Sequence, residues 1–377
     1  FPKLFRPEQM SVTTNGQSYP KKVAVMGGGA FGTGMAQLMA RKGCKVMLQV
    51  REAEAREGIN NDHENTLFLP GVKLEPSITA VDGVPEAVKD AEMIFLVIPT
   101  QFLRKFIQTF HSCLPVGVPM VCCAKGIEND TLQTPFEIME EELPGKYHRH
   151  LGVLTGPSFA REVAEGQQTN VTVAARDPEI AKKVQYAVSD ECFRAYTSSD
   201  VIGCEICGAI KNVYAIASGA LEGFGMGYNA RAALITRGLA EISRLAVQKG
   251  ASPLTISGLA GVGDLTLTCT GTLSRNWQLG NRMAKGETLQ QITESMRAVA
   301  EGVHTAKSLH QLMETMGIHM PIADEIYKVL FEGKGMKEAL AALRSRPLRE
   351  EVDPSVIEAA KQLPSTGVQK TGSGAFY

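Results

Sequence analysis

The chain has almost no excess charge of either sign. Its 39 Lys and Arg stand against 40 Asp and Glu, a formal net charge of −1 over 377 residues. A nucleic-acid binder held by a broad basic field is therefore excluded. No apolar run approaches the roughly 18 residues expected of a membrane-spanning helix. The strongest apolar stretches, such as MIFLVIP (93–99), have the length of buried strands. No His, Cys and carboxylate residues cluster as ligands, so no metal is expected. The cysteines (Cys44, Cys113, Cys122, Cys123, Cys192, Cys204, Cys207 and Cys269) are scattered along a chain too long to need disulfide staples, and reduced thiols are expected. Cys204-Glu-Ile-Cys207 is a lone CxxC inside an expected helix. It lacks the second pair a zinc site wants, and packing explains it. Residues 1–20 are polar and hold no apolar signal core. The stretch from about Glu350 is rich in Pro, Ser, Gly and Lys and reads as a mobile tail.

What is present is an ordinary globular composition, 44 % hydrophobic and 21 % charged, with room for two or three domains. Short apolar runs alternate with helical stretches in the first half. KKVAVM (21–26), KVMLQV (45–50), MIFLVIP (93–99), PMVCCA (119–124), HLGVLTG (150–156), NVTVAA (170–175) and FRAYT (193–197) read as strands. Helices are expected at 30–42, 101–110, 135–142 and 178–189. Such alternation means βαβ units and a mostly parallel sheet. The character changes near Ser199, where SSDVIGCEICGAIKNVYAIASGALEG starts with cap residues and then keeps a helical apolar period. Further helices are expected at 231–249, 253–260, 302–316, 321–331 and 336–345, with Gly250, Gly317 and Gly333 as stops and no strand after 197. The expected architecture is an α/β Rossmann-type domain with a mostly parallel sheet over 21–198, then an all-α domain over 199–346. Residues 1–20 and 347–377 form an extension and a tail.

VAVMGGGAFGTGMA puts Gly27-x-Gly29-x-x-Gly32 between the first strand and the first helix. The first glycine permits the tight turn, the second lets a pyrophosphate approach the backbone, and the third lets helix and strand pack closely. The acid usually found about 20 residues later is missing. Arg51 stands in its place, with Glu52 and Glu54 nearby. NAD and NADP both stay open.

In an open parallel sheet, ligands lie beyond the C-terminal strand ends. Candidate chemistry falls there repeatedly: Pro99-Thr100-Gln101, Lys125-Gly126, and Gly156-Pro157-Ser158-Phe159-Ala160 each follow an apolar run. Lys211 sits among Ala, Ile, Val and Tyr in GAIKNVYAIASG. Such a lysine either snorkels out or faces a cavity, where burial lowers its pKa and a carboxylate raises it again. Asp264 is a candidate for that carboxylate. It opens VGDLTLTCTGTLSRN (262–276), through which neither a helical nor a strand period runs, so an irregular segment is expected. At its end, Arg275 and Asn276 suit an anionic group, since a guanidinium fork grips phosphate and an amide adds a neutral donor. The bland alternative is a loop capped by Ser274 with Arg275 in solvent.

Together these stretches resemble NAD-dependent glycerol-3-phosphate dehydrogenase. The resemblance runs over roughly 22–345 through GGGAFGTGMA, N-x-x-x-LPGVKL (65–74), VIPTQ, AKGIE, TGPSFAREVA, GAIKNVYAIASG, GLAGVGDLTLTCTGTLSRN and VAEGVHTA. The GGG loop and TSSDVIGCEICGAIKN look most like the plastid-type and algal branch. The resemblance implies a helical domain like the C-terminal part of 6-phosphogluconate dehydrogenase. It implies Lys211 as general acid/base and Lys125 as a second active-site lysine touching substrate and cofactor. Asp264 and Thr268 would orient Lys211 and the reacting oxygens. Arg275 and Asn276 would hold the substrate phosphate, with Gly156, Ser158 and Ser274 lining the pocket. Gly27, Gly28, Gly29, Ala30, Phe31, Gly32, Arg51, Pro99, Lys125, Ala160, Arg275, Val299 and Glu301 would contact NAD, or NADP. Gln49 stands where many relatives carry Trp.

Two rivals share some of these features: another hydroxyacid or 6-phosphogluconate-type dehydrogenase, and a dinucleotide-binding sensor without turnover. The GDLTLTC…SRN stretch argues against the first. Retention of Lys125, Lys211 and Asp264 together argues against the second. The expected partner is a small phosphorylated substrate, with no nucleic acid and no membrane span. Apolar faces in the helical part suggest a homodimer. The expected location is a reducing soluble compartment, cytoplasm or plastid stroma.

Overall fold

The computed structural model describes residues 19–296, 300–348, 350–351 and 354–361. Eight strands form one sheet: β1 (Lys22–Met26), β2 (Lys45–Gln49), β3 (Ile78–Val81), β4 (Met93–Leu96), β5 (Met120–Cys122), β6 (Leu151–Thr155), β7 (Thr169–Ala174) and β8 (Phe193–Ser198). Their order is β3-β2-β1-β4-β5-β6-β7-β8. All neighbours pair parallel except β6 and β7, which run antiparallel. The sheet is buried on both faces, which explains its nearly continuous apolar strands. Within β1, Val23 and Val25 face one core layer, while Ala24 and Met26 face the other. β3 is absent from the sequence reading because Ile-Thr-Ala-Val is short and weakly apolar.

The strand order reverses between β1 and β4. That makes a crevice at their C-terminal ends, the ligand position of doubly wound sheets. The glycine loop leaves β1 there, Pro99 leaves β4, Lys125 follows β5 and Gly156 follows β6. The connectivity alone therefore lines these four points along one sheet edge.

Among the described residues, everything after Ser198 is helical or irregular. The organising element is the central helix Val201–Gly223, capped by Asp200, whose carboxylate accepts from Gly203 N. By length and composition it could cross a membrane, contrary to the expectation that no run came near that length, but 94 % of its most apolar window is buried inside the protein. Helices Tyr228–Gln248, Asp264–Thr270, Arg275–Ala284 and Glu301–Met316 wrap it. Cys204 and Cys207 are buried on it as free thiols within the packed core.

The stretch 262–276 is not irregular. A π-helical turn, Leu259–Gly263, leads into helix Asp264–Thr270, and Ser274 caps helix Arg275–Ala284. The threonine-rich composition hid this, because β-branched and hydroxyl side chains weaken the helical signal. Helix Leu289–Ser295 was likewise unexpected, and Pro354–Lys361 is helical within the expected tail.

Glycine sets how closely the helical layers approach. A Cβ on Gly219 would stand 1.9 Å from the Trp277 carbonyl oxygen, and one on Gly280 would stand 1.8 Å from that of Ile216. Helix 275–284 therefore lies backbone against backbone on the central helix, which fixes Arg275 and Asn276 relative to Lys211. Gly280→Ala should force the helices apart and cost about 1–3 kcal/mol of stability, as overpacking does. Urea unfolding checks this, and an unchanged midpoint would contradict the contact.

Candidate active site

On the cofactor side, Gly27 has φ +106, which favours glycine, and a Cβ on Gly32 would collide with the Gly27 carbonyl oxygen at 1.9 Å. Nothing lies within 4 Å of a Cβ built on Gly29. The loop thus leaves open space where the second motif glycine stands. No side chain caps helix Ala30–Arg41, whose first turn faces that space. An uncapped helix start beside an open glycine suits a pyrophosphate, so the residues present fit a dinucleotide. Ala30 and Phe31 are partly buried against the core beside the loop.

The loop is held by a residue that the sequence reading quoted without assigning it a role. Asn65 is fully buried, and its amide nitrogen donates to Gly28 O at 2.9 Å and to Thr33 Oγ1 at 2.8 Å. The available signal was the lone Asn ahead of LPGVKL. Arg51 follows β2, with its side chain 83 % exposed and paired only loosely with Glu52 at 3.4 Å. Gln49 donates instead to the Asp82 carbonyl oxygen at 3.1 Å. Pro99 is the N-cap residue of helix Thr100–Phe110. Ala160 packs against the glycine-loop helix, its carbonyl oxygen 2.9 Å from where a Gly34 Cβ would stand. Val299 lies outside the described residues.

On the other side of the crevice, two lysines meet one carboxylate. Lys125 Nζ donates to Asp264 Oδ2 at 2.8 Å and to the Gly156 carbonyl oxygen at 3.2 Å. Lys211 Nζ donates to Asp264 Oδ1 and, at 2.8 Å, to Thr268 Oγ1. Asp264 has no solvent exposure. Thr268 passes its own proton to the Asp264 carbonyl oxygen one turn back, at 2.6 Å. That leaves its lone pairs for Lys211, so its rotamer is set from both sides. Gly156, at φ +125, turns its carbonyl toward Lys125, and Ser158 Oγ donates to the same oxygen at 3.0 Å.

Burial holds the Lys211 ammonium down at about 8. Asp264 pulls it back up, and Lys125 pushes it further down. Glu301, the first residue of helix Glu301–Met316, is pushed above the usual carboxylate range by burial, against the fields of Arg275, Lys125 and Lys211. All three cations therefore act on one carboxyl group. Arg275 is exposed at the start of its helix, while Asn276 is buried, with Oδ1 accepting from Gly302 N at 2.9 Å. Ser274 Oγ accepts from Trp277 N at 3.2 Å. The Ser274 hydroxyl thus caps a helix, where the bland alternative had a loop.

The loop carrying Lys125 is bolted in two places that the sequence reading did not assign. Gln101 and Ser308 both donate to the Ile127 carbonyl oxygen, at 2.8 and 2.7 Å, one from each half of the chain. Gln101 stands among the strand-end candidates of the sequence, whereas Ser308, a hydroxyl residue inside a helix, carries no motif signal.

A dinucleotide loop at a switch point, on the same sheet edge as a buried lysine–carboxylate pair, fits a dehydrogenase of the nicotinamide-dependent class. Comparison with known proteins narrows this. Residues 22–181 match the model described as NAD-dependent glycerol-3-phosphate dehydrogenase N-terminus, and residues 200–341 match that of its C-terminus. The chain is 48 % identical over 331 residues to the glycerol-3-phosphate dehydrogenase, NAD(P)+ type, of Anaeromyxobacter dehalogenans, covering 88 % of this chain and 100 % of the relative. The glycerol-3-phosphate dehydrogenase of Coxiella burnetii superposes with a TM-score of 0.82 at 30 % identity, over 87 % of this chain and 100 % of that one. A Dunaliella salina structure, DsGPDH, superposes at 0.79 over 88 % of this chain and 62 % of that one, but at 22 % identity it shows the fold alone. This chain belongs to the NAD-dependent glycerol-3-phosphate dehydrogenase family. The similar curated relatives are bacterial and lend no support to the plastid-type or algal branch.

Asp264→Asn should remove the anion between two ammonium groups and cost about 3–5 kcal/mol, the usual penalty for breaking a buried pair from one side. Because Asp264 raises the Lys211 pKa, that titration should also move to lower pH. Wild-type stability together with an unmoved titration would contradict the arrangement.

Proposed function

We propose that this chain interconverts dihydroxyacetone phosphate and sn-glycerol 3-phosphate with NAD or NADP, through Lys211 as general acid/base. The observation that carries the reading is the Lys125–Asp264–Lys211 contact at the sheet edge from which the glycine loop also leaves. When bound, the nicotinamide supplies or accepts the hydride. The protein's part is charge and proton. Protonated Lys211 donates to the carbonyl oxygen as that oxygen becomes an alkoxide. Lys125 adds a second positive centre in a site sheltered from water. Asp264 and Thr268 hold the Lys211 ammonium so that its proton has a fixed direction. Arg275, with the Asn276 amide beside it, takes the phosphate. Gly27 to Gly32 and Pro99 line the dinucleotide site, with Arg51 at its adenosine end. An exposed guanidinium paired only loosely with Glu52 suits an adenosine carrying either a 2′-hydroxyl or a 2′-phosphate, so either cofactor is accepted.

The working units are a dinucleotide-binding part over 21–198 and a helical substrate part over 199–346. A homodimer is supported by large apolar side chains left exposed on the helical part, among them Tyr228 and Leu254. A reducing cytoplasm as the location is supported by the eight free thiols and the bacterial relatives. Gel filtration and light scattering at assay concentration test the dimer, and a monomer mass would remove it.

An initial-rate assay with dihydroxyacetone phosphate, comparing NADH with NADPH, tests the reaction itself. No turnover with either cofactor would reject it in favour of a sensor, and turnover of a hydroxyacid instead would favour the other dehydrogenases. With Lys211 titrating at about 8, reduction should fall as pH rises through that value, because the donor is lost. Oxidation, which needs the neutral amine, should rise over the same range. Lys211→Ala should lower kcat by a factor on the order of 10² to 10⁴ while NADH still binds. Arg275→Ala should weaken dihydroxyacetone phosphate far more than dihydroxyacetone, and equal losses on both would remove Arg275 from the phosphate site.

A further inference from the structure

The central helix carries glycines at 203, 208, 219 and 223. Glycine weakens a helix interior relative to alanine, so each asks for a spatial reason. Gly203 lies against the capping carboxylate of Asp200, and Gly219 and Gly223 admit helix 275–284. Gly208 meets something else. A Cβ there would stand 2.7 Å from Thr155 Oγ1 and 3.8 Å from both Cγ and Cδ of Lys125. Lys211 follows three residues later, on the same face of the helix.

We propose that Gly208 is a positioning residue, whose missing side chain leaves the slot in which the Lys125 stem crosses the central helix to reach Asp264 beside Lys211. This deepens the reading of the two lysines given above and rests on it. Thr155 forms the far wall of the slot. Its hydroxyl is buried and makes no hydrogen bond to another protein group. It cannot retreat easily, because it ends β6 in register with Thr172 of β7. A methyl group at 208 would sit in ordinary contact with the Lys125 stem but collide with Thr155 Oγ1, and relieving that clash drives the helix face away from the strand end. Lys211, carried on that face, then moves away from Lys125, which is held on the loop after β5.

The consequence is specific. Lys211 is faced by Asp264, Thr268 and Cys269 of helix 264–270, by Lys125 from the loop after β5, and by Glu301 at the start of helix 301–316. Of these, only Lys125 lines the slot, and it is the neighbour that pushes Lys211 down. Withdrawing it moves the Lys211 titration upward. Loosening that exposes the amine would raise it too, so unchanged NADH binding and recovery in the double variant separate the local clash from general loosening.

The test compares Gly208→Ala, Thr155→Ala and the double variant. Each is read by the pH profile of dihydroxyacetone phosphate reduction, by NADH binding, and by an NMR titration of the Lys211 side chain, assigned with Lys211→Arg. Gly208→Ala should lose on the order of 10-fold to 100-fold in kcat, as small misplacements of catalytic groups do, with NADH affinity unchanged and the Lys211 titration displaced upward. Thr155→Ala alone should leave all three readouts in place. The double variant should recover both rate and titration, since removing Oγ1 reopens the slot. A Gly208→Ala protein whose Lys211 titrates as in the wild type would overturn the proposal, whatever its rate. So would a double variant no better than Gly208→Ala, including the case in which neither folds, because the claim concerns one local clash. If the wild-type protein fails to reduce dihydroxyacetone phosphate, the proposed reaction falls, while the NMR titration still decides the role of Gly208 without any substrate.

Discussion

A single carboxylate with no solvent exposure accepts hydrogen bonds from two lysines that lie 86 positions apart in the chain, Lys125 and Lys211. The rest of the molecule can be understood as what that contact requires. Removing charged groups from water is expensive, and their attraction offsets the cost only when the remaining hydrogen bonds are made. Here they are largely made: Lys125 also reaches the Gly156 carbonyl and Lys211 reaches Thr268. Burial opposes the ionisation of Glu301, which lies in the fields of Arg275, Lys125 and Lys211, so the cations of this region gather around two buried carboxyl groups.

Holding such a cluster takes rigid backbone, and the glycines of the central helix provide it. Where most helices meet through side chains, this one meets helix 275–284 through its main chain. The spacing therefore does not depend on rotamers. The π-helical turn ahead of Asp264 belongs to the same arrangement, since a Cβ on Gly261 would collide with the Ile256 carbonyl oxygen at 1.9 Å. It rotates the start of helix 264–270 so that Asp264 enters the buried space. Such insertions are common where a functional side chain must be aimed.

Much of this was legible in the residues. Strands buried on both faces read as unbroken apolar runs, and the glycine loop declared itself through its flanking strand and helix. Lys211 was conspicuous because a charge among Ala, Ile, Val and Tyr demands a reason. The failures have physical causes as well. β3 was missed because four weakly apolar residues carry no period. The helix at 264–270 was hidden by threonines, which in isolation disfavour helix and here are compensated by packing on the central helix and by Thr268 bonding back to Asp264. Asn65, Gln101 and Ser308 act by holding backbone carbonyls. Asn65 and Gln101 lie in stretches that the sequence marks, but their role does not show there, because any short polar residue can fill it, and Ser308 carries no mark at all. Sequence displays groups whose chemistry is costly to bury, and it conceals those whose value lies only in where they end up.

The halves of the chain contribute unequally to the cluster, and this bears on how it works. Lys125 comes from the sheet, while Lys211, Asp264 and Thr268 come from the helices. The helical members would keep their mutual geometry if the halves parted slightly, because the Ser218 hydroxyl also binds the Cys269 carbonyl oxygen at 2.6 Å within that layer. Lys125 would not. Gln101 and Ser308 grip its loop from both sides of the joint, so the second cation is tied to correct seating of sheet on helices. The glycine loop sits on the sheet and Arg275 on the helices, so the same seating sets the distance between them. The Lys125–Asp264 contact is thus the point at which sheet and helices are brought into register.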